Sequence, residues 1–396
     1  MMRVAAILAL ALAACAGPDG REFSHPVGSR ANWSEPRQMP GSFTAMDRIF
    51  PARRIAAAAT PRPLPRAEAP FPPVTFLTAR GQPTTLDAWL ATSDTSAFLV
   101  MRKDGTILLE RYLQERQPTD RFTSWSMGKT VIGMLVGIAL ADGAIRSIDD
   151  PAGAYVPGLA GTAYAEVPIR ALLHMTSGVA FREEYAVQVR GSDISRLAQG
   201  TFHGNGPGGA ASLSFVTHRA GPPGVFFNYA SADTQALGLV LAAATGQSVS
   251  AYLERRIWQP MGAEAEASWL VDRAGQEAAF CCLNATLRDY GRLALLLANG
   301  GRVGAQQVLP EAWARNMLQV RDGLSPFYAY QTWRTPDMVG ALMLGVHGQW
   351  IAIHQFDDVI IVRLATEPTA STGRDVPNTA TNILNAVPAA LRLARR

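Results

Sequence analysis

The sequence predicts an α+β protein: one central antiparallel sheet built from both ends of the chain and flanked by helices, with an inserted, mostly helical domain. Two stretches, and the contrast with what lies between them, carry that prediction. Residues 97–112, AFLVMRKDGTILLERY, are two apolar runs around Lys103-Asp104-Gly105, the pattern of a β-hairpin. Residues 341–366, ALMLGVHGQWIAIHQFDDVIIVRLAT, give three β-rich segments separated by Gly348 and by Asp357-Asp358, followed by a final helical segment. Between these, from about 150 to 330, the chain reads as helices broken by loops such as TFHGNGPGGA and AGPPGVFF.

Three segments are expected ahead of the hairpin. Val4–Ala14 is an apolar run of 11 residues behind Met1-Met2-Arg3, too short to span a bilayer but right for a signal-peptide core. It ends in Leu12-Ala13-Ala14-Cys15, a sequence similar to the bacterial lipobox. Residues 1–14 are therefore expected to be cleaved and Cys15 to carry a lipid; an ordinary cleavage site with a chance cysteine is the alternative. The mature chain would lie in the cell envelope or periplasm of a bacterium, with that anchor its only membrane contact. Residues 15–31 read as an exported tether. Residues 32–73 are Pro-rich, yet Trp33, Phe43, Ile49 and Phe50 are apolar enough to pack on the body, and the compact domain is expected over 74–396.

Within that domain, Val131–Leu140 is apolar on every side and stops at Asp142-Gly143, as a helix buried in the middle of a core does. SVSAYLERRIW and NATLRDYGRLALLLANGG are further helix signals, the latter opening on a Thr286-x-x-Asp289 capping pattern. The chain has 396 residues, 48% hydrophobic and 17% charged, enough for a large core. A net charge of +4, scattered and without basic-aromatic clusters, excludes a nucleic-acid partner. Cys281 and Cys282 are adjacent; neighbouring cysteines seldom bridge without strain, and neither has a spaced metal-binding partner, so buried thiols are expected and no metal or cofactor.

The chemistry concentrates in FTSWSMGKTVIGMLVGIAL, residues 122–140, which admits three readings. A nucleotide-binding loop ending in Gly128-Lys129-Thr130 needs a glycine where Thr123 stands, and a strand before it. A nucleophile elbow needs a glycine where Ser124 stands, but still makes Ser126 the nucleophile. The third is Ser126-x-x-Lys129. At a helix N-terminus the Ser126 backbone N–H can face a developing oxyanion, and residues i and i+3 share a face, so the Lys129 amine can approach the Ser126 hydroxyl. A lysine entering an apolar helix loses hydration, which lowers its pKa and favours the proton-accepting form. The bland alternative is a surface lysine in a first helical turn. Lys103 and Lys129 are the only lysines, which makes a chance match rare. A second proton shuttle is required for the leaving group; Tyr229, between a Gly-Pro-Pro-Gly turn and a helix, is the candidate, with Ser231 beside it.

Ser126-x-x-Lys129, LLHMTSG (172–178), Tyr229-x-Ser231 and GVHGQW (345–350) resemble, in order, the landmarks of the class C β-lactamase-like serine hydrolases. FREEY (181–185), YAYQTW (328–333) and NWSEPRQMPGSFTAMDRIFPARRI (32–55) bring the resemblance to the 6-aminohexanoate-dimer hydrolase branch. The resemblance implies a β-lactamase/transpeptidase-like fold and acyl transfer: Ser126 as nucleophile, Lys129 as base, Tyr229 as proton relay. The backbone N–H of Val346, on a strand facing the serine, would join that of Ser126 in the oxyanion hole. Tyr185, Ser231, Trp333, Gly345 and His347 are the implied substrate contacts. Met343-Leu344-Gly345 stands where β-lactamases carry K-T-G, and Ser231 where they carry Asn, so an uncharged small-molecule ester or amide is the expected substrate. A β-lactamase or DD-peptidase, and a catalytically silent cell-envelope binding protein, are the rivals.

Overall fold

The computed structural model of the protein describes residues 25–185, 191–319, 325–370 and 375–394. Its centre is a seven-stranded antiparallel sheet. Strands β1 (Thr95–Met101) and β2 (Ile107–Tyr112) come from near the start of the chain. Strands β3 (Tyr328–Ala329), β4 (Thr332–Arg334), β5 (Gly340–Leu344), β6 (Trp350–His354) and β7 (Ile360–Ala365) come from its end. The order is β3-β4-β5-β6-β7-β1-β2, so the two ends join where β7 pairs with β1, from Ile360 opposite Met101 to Leu364 opposite Ala97. The hairpin turn between β1 and β2 is fixed by Gly105 at φ 94° and by the Asp104 carboxylate, which accepts from the Thr106 N–H.

Alternate residues of these strands serve two cores, which is why the strands read as unbroken apolar runs. Leu99, Met101, Ile351, Ile353 and Val362 face the large core beneath the helical region. Phe98, Val100, Trp350, Ala352 and Ile361 face a smaller one covered by the C-terminal helix. Above the large core lie helices α1 (Gly128–Ala141), α2 (Ser231–Thr245) and α3 (Leu287–Ala298); α4 (Asp375–Leu393) covers the other face. Helix α1 is buried from Gly128 to Ala139 and packs on α2. Its glycines admit close neighbours: a Cβ on Gly133 would lie 2.4 Å from the Tyr330 carbonyl oxygen. The Thr286 side chain caps α3 by accepting from the Asp289 N–H.

Two details add to the expected organisation. The inserted region is not wholly helical: Ala267–Leu270 and Leu283–Ala285 pair with Ala52–Ile55 and Phe122–Thr123 in a second, four-stranded sheet. And packing on the body, expected of residues 32–73, reaches back into the expected tether as far as residue 25. His25 meets the Gln114 carbonyl at 3.1 Å, Arg30 Nε donates to the Ile49 carbonyl, and Trp33, Phe43 and Phe50 are buried. These rings form one cluster with Trp125 and Phe202. Residues 1–14 and Cys15 lie outside the described residues.

Phe43 is 1% exposed, and its carbonyl accepts from the Thr123 N–H at 3.0 Å. Phe43→Ala is expected to destabilise the protein by about 3–5 kcal/mol, seen as a lower urea midpoint at unchanged slope. An unchanged midpoint would return the segment to a tether.

Candidate active site

Ser126 stands in the 3-10 turn Trp125–Met127 that leads into α1. The turn is entered through Trp125 at φ 44°, a left-handed conformation that costs a bulky residue about 1–3 kcal/mol and persists only where the surroundings impose it. They do: the indole lies 5.7 Å from the Trp33 ring, 5.2 Å from Phe43 and 5.7 Å from His347. Ser124, one residue before, donates its N–H to the Leu283 carbonyl and accepts the Leu283 N–H on its hydroxyl.

Lys129 is 1% exposed. Its Nζ lies 2.8 Å from Ser126 Oγ, 3.0 Å from Ser231 Oγ and 2.9 Å from the Phe280 carbonyl oxygen. Burial pushes its pKa down to about 8, against the opposing pull of the Glu183 carboxylate. The amine also sits 5.1 Å over the Tyr229 ring.

Tyr229 occupies the loop just before α2. The loop is pinned by Met175, whose carbonyl accepts from the Asn228 N–H at 2.8 Å. The LLHMTSG turn lies against the earlier part of this loop at Gly178, φ 72°, where a Cβ would lie 2.3 Å from the Gly221 carbonyl oxygen. The Tyr229 ring packs 5.3 Å from Trp333 and 5.8 Å from Tyr328. Burial drives its pKa well above that of a free phenol, the nearby Glu183 charge adds to this, and hydrogen bonds with Ser126 and Trp333 oppose it. The phenol is thus protonated at neutral pH and within reach of Ser126.

The opposite wall is the end of β5. Gly345 passes so near the serine turn that a Cβ would lie 2.7 Å from the Ser124 carbonyl oxygen. Val346 is not on the strand, as expected, but opens the 3-10 turn Val346–Gly348, because His347 adopts φ 62° and breaks the extended run. His347, expected at the substrate, is packed elsewhere: its ring lies on Phe43 and Trp125, and Nδ1 meets the Glu367 carbonyl at 2.7 Å. Ser231, expected at the substrate, is fully buried beneath Lys129.

A cavity of about 720 Å³ opens on Ser126, lined among others by Glu183, Tyr185, Tyr229, Trp333 and Arg334. Ser231, Gly345 and His347 are not among its walls, whereas Tyr185 and Trp333 are. Three features escaped the sequence reading. Glu183 accepts from the Ser231 N–H at 2.9 Å, from the Ser231 hydroxyl at 2.5 Å and from the Tyr185 hydroxyl; its only signal was its place in FREEY. Arg334 brings a cation to the cleft from β4, although none stands at the K-T-G position. Finally, Cys281 and Cys282 are joined in a disulfide and are not free thiols. The chain turns there, with Cys282 at φ 75°, and the flanking residues Phe280 and Leu283 both grip the nucleophile segment.

A family model described as Beta-lactamase matches residues 87–383. The chain belongs to the beta-lactamase family. This family member is 29% identical to a 6-aminohexanoate-dimer hydrolase of Paenarthrobacter ureafaciens over 304 residues, 72% of this chain and 76% of that one. Among solved structures it is similar to a Bacillus anthracis protein carrying the provisional name 6-aminohexanoate-dimer hydrolase, with TM-score 0.81 and 22% identity, over 93% of this chain and 97% of that one. A D-stereospecific amidohydrolase from Streptomyces sp. matches with TM-score 0.55 and 16% identity, over 76% and 96% of the two chains. At these identities the structures establish the fold; with the family match they make the protein a beta-lactamase-related hydrolase.

Gly345→Ala tests how closely the two walls must meet. With φ −127° the backbone tolerates any residue, so the added methyl acts only by contact. It is expected to cost about 1–3 kcal/mol of stability and to slow hydrolysis of a nitrophenyl ester about 100-fold. Wild-type rates would show that the wall can retreat without consequence.

Proposed function

We propose that the protein hydrolyses an ester or amide bond through an acyl-enzyme on Ser126. The observation that carries this reading is the wholly buried Lys129 amine, 2.8 Å from Ser126 Oγ and with its pKa pushed down to about 8. Near neutral pH a useful fraction is uncharged and can take the serine proton. Ser126 Oγ attacks the carbonyl carbon as its proton moves to Lys129 Nζ, and the backbone N–H groups of Ser126 and Val346 receive the oxyanion. Collapse breaks the acyl–O or acyl–N bond. Tyr229 gives its hydroxyl proton to the departing alcohol or amine and is reprotonated from Lys129. Water, deprotonated by the same pair, then attacks the acyl-enzyme; its proton returns to Ser126 and the carboxylic acid leaves.

The aromatic and aliphatic walls, Tyr185, Trp333 and Leu344 among them, suit an extended apolar chain on either side of the scissile bond. The relative from Paenarthrobacter ureafaciens is named for a dimer of 6-aminohexanoate, and linear amides of that kind are the substrate class we favour. Export and a lipid on Cys15 complete the proposal: intact-mass analysis of the membrane fraction should find a diacylglycerol there, and an unmodified soluble mature chain would refute it.

A fluorophosphonate probe is expected to label wild type and not Ser126→Ala; equal labelling removes the mechanism. The pH dependence has a definite sign. Because the ammonium form is inactive, kcat/KM for an uncharged ester should rise about tenfold per pH unit below the Lys129 pKa and level off above about 8. A profile flat from pH 6 to 9 excludes Lys129 as the base. Nitrophenyl esters, linear amide oligomers and a chromogenic cephalosporin, assayed side by side, separate the substrate classes.

A further inference from the structure

Resting on that reading, the hydrogen bonds around Lys129 can be given directions. Ser231 has one hydroxyl proton, and its Oγ lies 2.5 Å from Glu183 Oε1, while Glu183 Oε2 accepts the Ser231 N–H at 2.9 Å. A carboxylate only accepts, so the hydroxyl proton is committed to Glu183. Ser231 Oγ can then only accept from Lys129, and so can the Phe280 carbonyl. A neutral amine has two N–H groups and one lone pair. With both N–H groups directed to Ser231 and Phe280, the lone pair is left facing Ser126 Oγ at 2.8 Å.

We propose that Glu183 is a positioning residue for the base: by holding the Ser231 proton, it fixes the direction of the Ser231–Lys129 hydrogen bond and aims the Lys129 lone pair at Ser126. After proton transfer the same three acceptors satisfy all three N–H groups of the ammonium, and the carboxylate lies one hydroxyl away from the new charge. The arrangement parallels a Ser-His-Asp triad, where the buried acid holds the base in the useful tautomer. Here the acid acts through an intervening hydroxyl and belongs to the segment that also carries Tyr185, whose O–H donates to Glu183.

Glu183→Gln makes this falsifiable. The Ser231 N–H must keep an acceptor, so the amide oxygen takes the Oε2 place and the NH2 group faces Ser231 Oγ. Ser231 then accepts from the glutamine and turns its own proton onto the Lys129 lone pair. Plateau kcat/KM for a nitrophenyl ester is expected to fall about 100-fold. The acid limb of the profile should also move to lower pH, because the charge that favours the ammonium is gone. The other ionisable groups nearby are Tyr229 before α2, Tyr185 beside Glu183, Arg334 on β4, and Asp233 on α2, which is bonded to Tyr164. Loss of the Glu183 charge also lowers the pKa of Tyr229, Tyr185 and Asp233, and the Tyr185 hydroxyl loses its Oε1 acceptor, so the acid limb is read together with the Ser231→Ala background, where these changes are the same.

In a Ser231→Ala background, where no hydroxyl is left to orient, Glu183→Gln should change kcat/KM by less than about threefold. Ser231→Ala alone keeps the loop's Tyr185 bond and the residue-231 N–H bond, and is expected to lower kcat about tenfold at unchanged KM. Equal factors in both backgrounds, an unmoved acid limb, or an unchanged kcat in Ser231→Ala each overturn the proposal. Ser126→Ala separates the two levels: full activity in that variant defeats the acyl-enzyme reading itself, whereas its loss alongside additive Glu183 effects defeats only the positioning role.

Discussion

Keeping the Lys129 amine out of water is the constraint on which the rest of the site depends. An ammonium removed from solvent is strongly destabilising unless each N–H has an acceptor. One acceptor is Ser126, in the turn that leads into the helix, but the other two come from 102 and 151 residues further along the chain. Helix α2 and the turn at 280–283 must therefore be fixed against α1 before the lysine can be buried. The apolar surface of α1 supplies the driving force for that packing, and its glycines allow the approach. Burial lowers the pKa and presents a base near neutrality; the acceptors keep the burial tolerable.

The same economy of parts explains the strained entry to the serine. Trp125 holds a left-handed backbone only because its indole is enclosed by Trp33, Phe43 and His347. Two of those rings come from the N-terminal segment and one from the turn that follows β5. The serine turn, the turn after β5 and the N-terminal segment are thus one packed unit, with His347 filling the space between them. The Glu367 carbonyl bond that orients its ring also fixes the turn carrying Val346.

How much of this could be read from residues alone follows from the range of each signal. The hairpin at 97–112, the three terminal strands and the buried helix after Ser126 are local patterns of period or punctuation, and the architecture built from them was legible. So was the i, i+3 relation of Ser126 to Lys129. What was not legible depends on partners distant in sequence. Ser231 looks like a cleft residue beside Tyr229 until Lys129 and Glu183 are placed on either side of it. His347 looks available until Phe43 closes over it. The N-terminal segment has the composition of a linker, and although Trp33, Phe43 and Phe50 marked it as packing, the rings they meet, Trp125 and Phe202, are distant in sequence. The Cys281–Cys282 bridge defied a sound base expectation because the backbone turns within the pair.

The charges of the cleft also bear on which acyl groups such a site can accept. On the proposed mechanism, any anion near the scissile bond lowers the uncharged fraction of Lys129 at a given pH, since a negative charge stabilises the ammonium and raises its pKa. Glu183 already exerts that pull, moderated by three donors that share its charge. A second carboxylate beside Ser126, unpaired because no cation stands at Met343-Leu344-Gly345, would add to it. A carboxylate further out would meet Arg334 instead, on the strand next to β5. The proposed mechanism therefore favours a neutral group at the reacting carbonyl and tolerates an acidic terminus several bonds away. That is the charge pattern of a linear amide with a distal carboxylate, and it is the reverse of a β-lactam, whose acid lies close to the bond that breaks.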